Sequence, residues 1–350
     1  VGHEALELNA SGDNNVAVGR EALENNTASN NTAVGYQALT ANTSGTLNTA
    51  VGYQALDANT TGQFNTAVGA SSSGSITTGE QNVSFGLNSL ASNQTGSHNT
   101  AIGKDALFAN TASNNTAVGD SALENNTSGT PNTAVGFEAL KANTSGVRNS
   151  GLGYQVLDNN TTGTDNDGFG YQTLYSNTTG NYNTAFGRVA LHLNQTGTQN
   201  VAVGANALFN NTASNNTAVG FQALTANTTG INNTAVGHIA LATNTASNNT
   251  AVGKQALLFN TTGTNNVAMG VGASAGALDS NTTGSNNTAI GADTLGANTT
   301  ASNNTAVGQG ALFNNTASNN TAIGKDTLVA NTSGTQNVAV GGGAGGNNQT

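Results

Sequence analysis

The chain has 350 residues, of which only 7% are charged, with 17 acidic and 7 basic side chains giving a net charge of −10. It carries no basic patch of the kind nucleic-acid binding needs, no apolar run near the length of a membrane span, and no cysteine for disulfides or thiolate metal sites. Length alone would allow two or three globular domains, but Gly, Asn, Thr, Ala and Ser dominate a text that repeats throughout.

The repeat opens at Gly2. Its closing glycine returns at Gly19, Gly35, Gly52, Gly69, Gly86, Gly103, Gly119, Gly136, Gly153 and Gly170, then at Gly187, Gly204, Gly220, Gly237, Gly253, Gly270, Gly291, Gly308, Gly324 and Gly341. The interval is 16 or 17 residues at every step except the 21 between Gly270 and Gly291. So short a period means stacked units, each unable to bury its apolar face alone. The expected fold is all-β: a rod-shaped parallel β-solenoid, or β-roll, of about twenty rungs. Residues 1–350 form one continuous array, read as a section of a longer chain because it begins and ends in mid-phrase. The hairpin dipeptide Asn-Gly never occurs, which favours parallel stacking.

Within each rung a phrase such as Asn31-Thr32-Ala33-Val34-Gly35 alternates with period two and predicts a strand. The large residue before Gly (Val18, Val34, Val51, Phe85, Ile102, Leu152, Phe186, Met269, Ile323) is expected to point inward, with Thr or Val two residues earlier on the same face. Leu four residues after Gly (Leu23, Leu39, Leu56, Leu107, Leu140) is the second interior anchor. Asn-Thr-Thr-Gly or Asn-Thr-Ala-Ser-Asn then turns the chain. Two rungs depart from the pattern, near 70–86, where Ser73 replaces Leu, and 270–291, where four extra residues move it to Leu278. A weaker or bulged rung is expected at each.

The residue between Thr and Val is nearly always Ala, with Ser84, Gly151 and Gly168 as exceptions. If Val points inward, Ala takes the other face, and its small size implies that something packs closely over it, either another wall of the same rung or further copies of the chain; the thin core of a 17-residue rung favours the latter. The expectation is self-association, as a homotrimer or a filament.

Asn-x-Ser/Thr occurs roughly thirty times. Asn42, Asn59, Asn93, Asn143, Asn177, Asn227, Asn281, Asn298 and Asn331 occupy one turn position and are the candidate glycosylation sites. The competing reading is that these Asn stack as hydrogen-bonded ladders. A Thr column could bind ice, but the inward assignment of Thr counts against it. Aromatic residues after Gly (Tyr36 and Tyr53; Phe137, Tyr154 and Tyr171) form short ladders, read as cross-rung packing rather than a carbohydrate grip. His3, His98, His192 and His238 occupy unrelated positions, and no triad, carboxylate pair or phosphate loop stands out. No catalytic, cofactor-binding or metal-binding residue is nominated.

The phrase Asn-Thr-Ala-Val-Gly-Tyr-Gln-Ala-Leu-x-x-Asn-Thr-Thr-Gly, almost intact from Thr46 to Gly62, resembles repeats of phage tail-fibre and bacterial surface proteins. It is similar, more distantly, to the head repeats of trimeric autotransporter adhesins. The resemblance covers essentially the whole chain and implies a trimeric left-handed β-roll used for attachment. Adhesin head repeats are shorter, and no stalk or anchor accompanies the repeats here. The expectation is a non-enzymatic, extracellular fibre segment that spaces or attaches, with a cell-surface or glycan receptor as partner, no nucleic acid and no membrane insertion. The alternative is a repetitive ligand-binding surface for ice or glycan, or a glycan-coated fibril.

Overall fold

The computed structural model describes residues 1–271 and 276–347, in two compact units, Val1–Thr179 and Gly180–Thr350. Each is a parallel β-solenoid with one short strand per rung. The first holds β1 (Val16–Val18), β2 (Thr32–Val34), β3 (Thr49–Val51), β4 (Thr66–Val68), β5 (Val83–Phe85), β6 (Thr100–Ile102), β7 (Thr116–Val118), β8 (Asn132–Val135), β9 (Asn149–Leu152) and β10 (Asp167–Phe169). The second holds β11 (Thr184–Phe186), β12 (Val201–Val203), β13 (Thr217–Val219), β14 (Thr234–Val236), β15 (Thr250–Val252), β16 (Val267–Met269), β17 (Thr288–Ile290), β18 (Thr305–Val307), β19 (Thr321–Ile323) and β20 (Val338–Val340).

Within each unit, consecutive strands pair in parallel and in register, so Ala33 faces Ala50 and Val34 faces Val51. Neighbouring strands in such a sheet lie about 4.8 Å apart. Among the described residues no helix occurs.

The strands face the opposite way from the expectation. Ala33, Ala50, Ala117, Ala134 and Ala218 are fully buried inside a single chain, whereas the Thr and Val on either side face outward. Phe85 is 50% exposed and Ile102 41%. The Ala column is small because the rung is narrow, and the argument that another chain covers it falls.

What the Ala column meets is shown by its exceptions. Ser84 bonds to Ser72 at 2.6 Å and Ser73 at 2.7 Å, the residues three and four after Gly69. A Cβ on Gly151 would lie 3.0 Å from Val156 Cγ1 and 3.4 Å from Leu140 Cδ1. The inner strand residue therefore packs against the Ala-Leu pair across the rung, and Leu23, Leu39, Leu56 and Leu140 are fully buried as expected. These leucines sit in the left-handed region, as Leu39 does at φ 54°, a conformation costly for a bulky residue and held here by burial and cross-rung bonds such as Leu39 N–H to the Ala55 carbonyl.

The substitutions compensate one another. Val156 replaces the usual Ala, and the facing strand positions shrink to Gly151 and Gly168. An alanine at Gly168 would put its Cβ 2.7 Å from Val156 Cγ2. Gly168→Ala is therefore expected to cost about 2 kcal/mol by overpacking, and Val156→Ala to relieve most of it. Urea unfolding of both single variants and the double variant checks this; strictly additive effects would disprove the contact.

The rung after Gly69 is not bulged. β4 and β5 keep register, Gly69 keeps φ 137° and Ser73 keeps φ 52°. A buried network of Ser72, Ser73, Ser84 and Ser89 hydroxyls replaces apolar packing there. In the rung after Gly270, β16 and β17 also stay in register, and an antiparallel bridge from Val271 to Gly276 brackets the insertion. Residues 272–275, where the extra residues fall, lie outside the described residues.

The third side of the interior is amide. One Asn per rung precedes the strand: Asn48 Oδ1 accepts Asn65 N–H at 2.9 Å, and its Nδ2 donates to the Gly62 carbonyl at 2.8 Å. A second Asn column lies at the turn. Asn42 Nδ2 donates to Asn26 Oδ1 at 2.6 Å, and Asn59 Nδ2 to Asn42 Oδ1 at 2.8 Å. Ile76 interrupts this ladder, and Asn59 Oδ1 is left without a partner. Amide ladders let a narrow rung satisfy its turn backbone without water.

Candidate functional site

The feature that repeats on the outside is the strand face. Its column before Gly is apolar on every rung: Val18 to Val135, Leu152 and Phe169 in the first unit, Phe186 to Val340 in the second. The parallel column is Thr, Val or Ser, and Asp167 is its one charged member. Alternation along three residues puts both columns on one side, and the fully buried Ala between them fixes that side as outer. In the first unit the face is locally notched, where Val135, Leu152 and Phe169 stand beside Thr133 and Ser150.

Beyond each Gly the next residue starts a second outer column. Tyr36 stacks on Tyr53 at 5.4 Å, and Phe137, Tyr154 and Tyr171 stack at 5.3 Å with ring planes within 13°. Such stacking turns ring faces toward one another and leaves edges to solvent, so it is packing rather than a platform for sugar rings. Beside it runs a glutamine ladder: Gln54 Nε2 donates to Gln37 Oε1 at 2.8 Å, and Gln37 Nε2 to Glu21 Oε2 at 2.6 Å.

One charged cluster of the first unit centres on Lys141. Lys141 Nζ lies 2.7 Å from Glu138 and 3.7 Å from Glu124. Gln155 donates to the other oxygen of Glu138 at 2.7 Å. The Lys141 hydrogen bond holds the Glu138 carboxyl below its usual range. Burial, then the charge of Glu138, raises Asp158 to about 6, partly offset by Lys141. A folded-state value above the unfolded one near 3.8 means that Asp158 costs nothing while protonated in both states. Stability is then lost as pH rises from about 4 through 6. Asp158→Asn is expected to stabilise by about 1 kcal/mol at pH 7.5, after discounting for solvent screening, and by nothing below pH 4. Thermal unfolding across that range tests it, and an equal gain at both ends would reject the ionisation as cause.

The histidines stay apart from any such cluster. His192 stacks on Phe209 and His238 on Phe221, His3 meets Glu4 at 3.1 Å, and His98 stands exposed on a turn. Among the described residues no three His, Asp or Glu side chains gather to hold a metal ion, and no helix is long and apolar enough to cross a membrane.

The nine nominated sequon residues are not surface groups. Asn42, Asn59, Asn93, Asn143, Asn177, Asn227, Asn281, Asn298 and Asn331 are all fully buried in the turn ladder. Their Nδ2 atoms are engaged, as in Asn143 Nδ2 to Asn126 Oδ1 at 2.7 Å and to the Gly146 carbonyl at 3.1 Å. A glycan on that nitrogen would have to occupy the core, so glycosylation of these nine residues is incompatible with the folded rung. Sequence reasoning missed sequons that do face solvent, among them the Asn-Asn-Thr phrases at Asn30, Asn114 and Asn215. Their signal was the doubled Asn, whose second member takes the interior place. No protein-family model matches the chain, and no curated protein matches it.

Proposed function

We propose that the chain is a non-enzymatic segment of an extracellular fibre, of the tail-fibre or adhesin kind, which spaces or attaches and associates with further copies of itself. The observation that supports this is the unbroken, outward apolar column, flanked by hydroxyls and almost free of charge. Exposed apolar surface of this extent marks an interaction site. Ten rungs per unit offer roughly 1,000 Å², comparable to what each partner contributes to a stable complex. Self-association thus rests on the Thr/Val face rather than on the Ala column.

The test is the mass of the full chain in solution, beside Val135→Lys with Val219→Lys. The parent chain is expected above monomer mass. The double variant is expected to fall to monomer with its thermal midpoint nearly unchanged, because both side chains already face water. A monomeric parent at tens of micromolar would sink the proposal.

The outward Thr column also removes the objection to a ligand-binding face. A flat alternation of hydroxyl and methyl groups could order water at an ice surface, so a monomeric parent that blocks ice recrystallisation would favour that reading.

A further inference from the structure

Asn-x-Ser/Thr sequons lie both inside and outside this fold, and only those with an outward amide can carry sugar on the folded protein. The Asn that precedes the inner Asn by one residue sits on an exposed turn. At Asn30, Asn114, Asn215, Asn248, Asn286 and Asn319 it is followed by a buried Asn and then an outward Thr, completing the sequon; Asn232 and Asn303 carry the same sequon, but their Nδ2 atoms donate to Asn248 and Asn319. In all six the side-chain Nδ2 makes no hydrogen bond. Where the amide takes part at all, it is the oxygen that accepts, as Asn30 Oδ1 does from Asn14 and Asn248 Oδ1 from Asn232.

The backbone does not demand Asn there. These residues have φ near 60°, but the same column holds Leu47, Phe64, His98 and Arg148 at φ 54–60°. The left-handed conformation is therefore met by bulky and charged residues alike, and a turn preference alone does not account for the acceptor amide. Recognition of a sequon also needs the hydroxyl two residues on. Thr32, Thr116, Thr217 and Thr250 lie on the outer strand face, half-exposed. In the ladder class the hydroxyl is outside but the amide is locked within, as for Asn42 and Ser44.

We infer that these six asparagines are N-glycan acceptor sites of the folded protein. The donor class is an oligosaccharide on a polyprenyl diphosphate. Nδ2 forms the bond to the sugar C1, the C1–O bond to the diphosphate breaks, the polyprenyl diphosphate leaves, and the amide proton passes to the transferase. The inference also sets an order of events. A transferase acting on the unfolded chain would modify Asn42 and its ladder partners as well, and the rungs could not then close.

The fold supplies its own controls. Asn14 and Asn265 occupy the same exposed column but are followed two residues on by Val16 and Val267, so they lack the hydroxyl. The experiment treats the folded full chain with a purified oligosaccharyltransferase and a lipid-linked oligosaccharide. Enzymatic release of glycan in heavy-oxygen water then marks each former site for peptide mapping. Synthetic peptides spanning 26–36 and 38–48 show that the enzyme accepts both sequon classes when unfolded. Modification at the six sites, with Asn42, Asn59, Asn143, Asn14 and Asn265 unmodified, is the expected result. Modification of the ladder residues in folded protein would overturn the inference, as would a folded chain unmodified at all six while both peptides react. Because self-association through the Thr/Val face would cover the sequon threonines, the reaction is also run on the Val135→Lys/Val219→Lys chain, where that face is open.

Discussion

Gly136→Ala is expected to be among the most damaging single-methyl additions the chain can suffer. Gly136 has φ 136°, a region L residues with a Cβ rarely adopt, and the added carbon would lie 2.2 Å from the Gly153 carbonyl oxygen of the next rung. Backbone strain and a clash with main chain act together, and neither can be relieved without parting two paired rungs. A loss of about 4 kcal/mol is expected. Because every rung supports its neighbours, the defect should split unfolding into two steps rather than lower one midpoint uniformly. Gly74→Ala is the comparison. Its new Cβ would meet nothing nearer than the Asp57 carboxylate at 3.2 Å, with backbone no closer than 3.5 Å. A change within about 0.5 kcal/mol is expected there. Thermal unfolding by far-ultraviolet circular dichroism separates the two, and equal effects would show that rung spacing does not set the requirement for glycine.

The second large effect is expected at the inner amide ladder. Asn132 Oδ1 accepts Asn149 N–H at 2.9 Å, and its Nδ2 donates to the Gly146 carbonyl at 2.9 Å. Asn132→Ala leaves a buried donor and a buried acceptor facing a void, costing about 3 kcal/mol. Asn132→Asp separates donor from acceptor. At neutral pH it buries a carboxylate against a carbonyl and should be worse than alanine. In acid, the protonated carboxyl can again donate to Gly146, and the variant should recover relative to alanine. Asn125→Ala, at an exposed site one residue from the turn ladder, should change stability little. Urea unfolding at pH 7 and pH 3.5 decides it. An Asp variant that tracks alanine at both pH values would refute the assigned direction of the hydrogen bonds.

Much of this protein was determined by its sequence alone. The spacing of the glycines placed every strand, the parallel in-register stacking followed from the period, and the buried Leu position followed from its recurrence. The Asn columns were legible as turn ladders, though not as interior ones. Which side of the strand faces inward was decided only by the tertiary structure. Period two shows that Thr and Val share a face and that Ala takes the other, but it carries no sign. The sign is set across the rung, where the Ala-Leu pair leaves room for little more than Ala, and where Val156 replaces that Ala the facing positions shrink to Gly151 and Gly168. Hydropathy pointed the wrong way because it weighs a methyl count, whereas a narrow interior selects for volume. The variation at the outer column, from Val34 to Phe85 to Met269, marked the side where volume is unconstrained. That same choice of side decided which asparagines became core and which remained open to solvent.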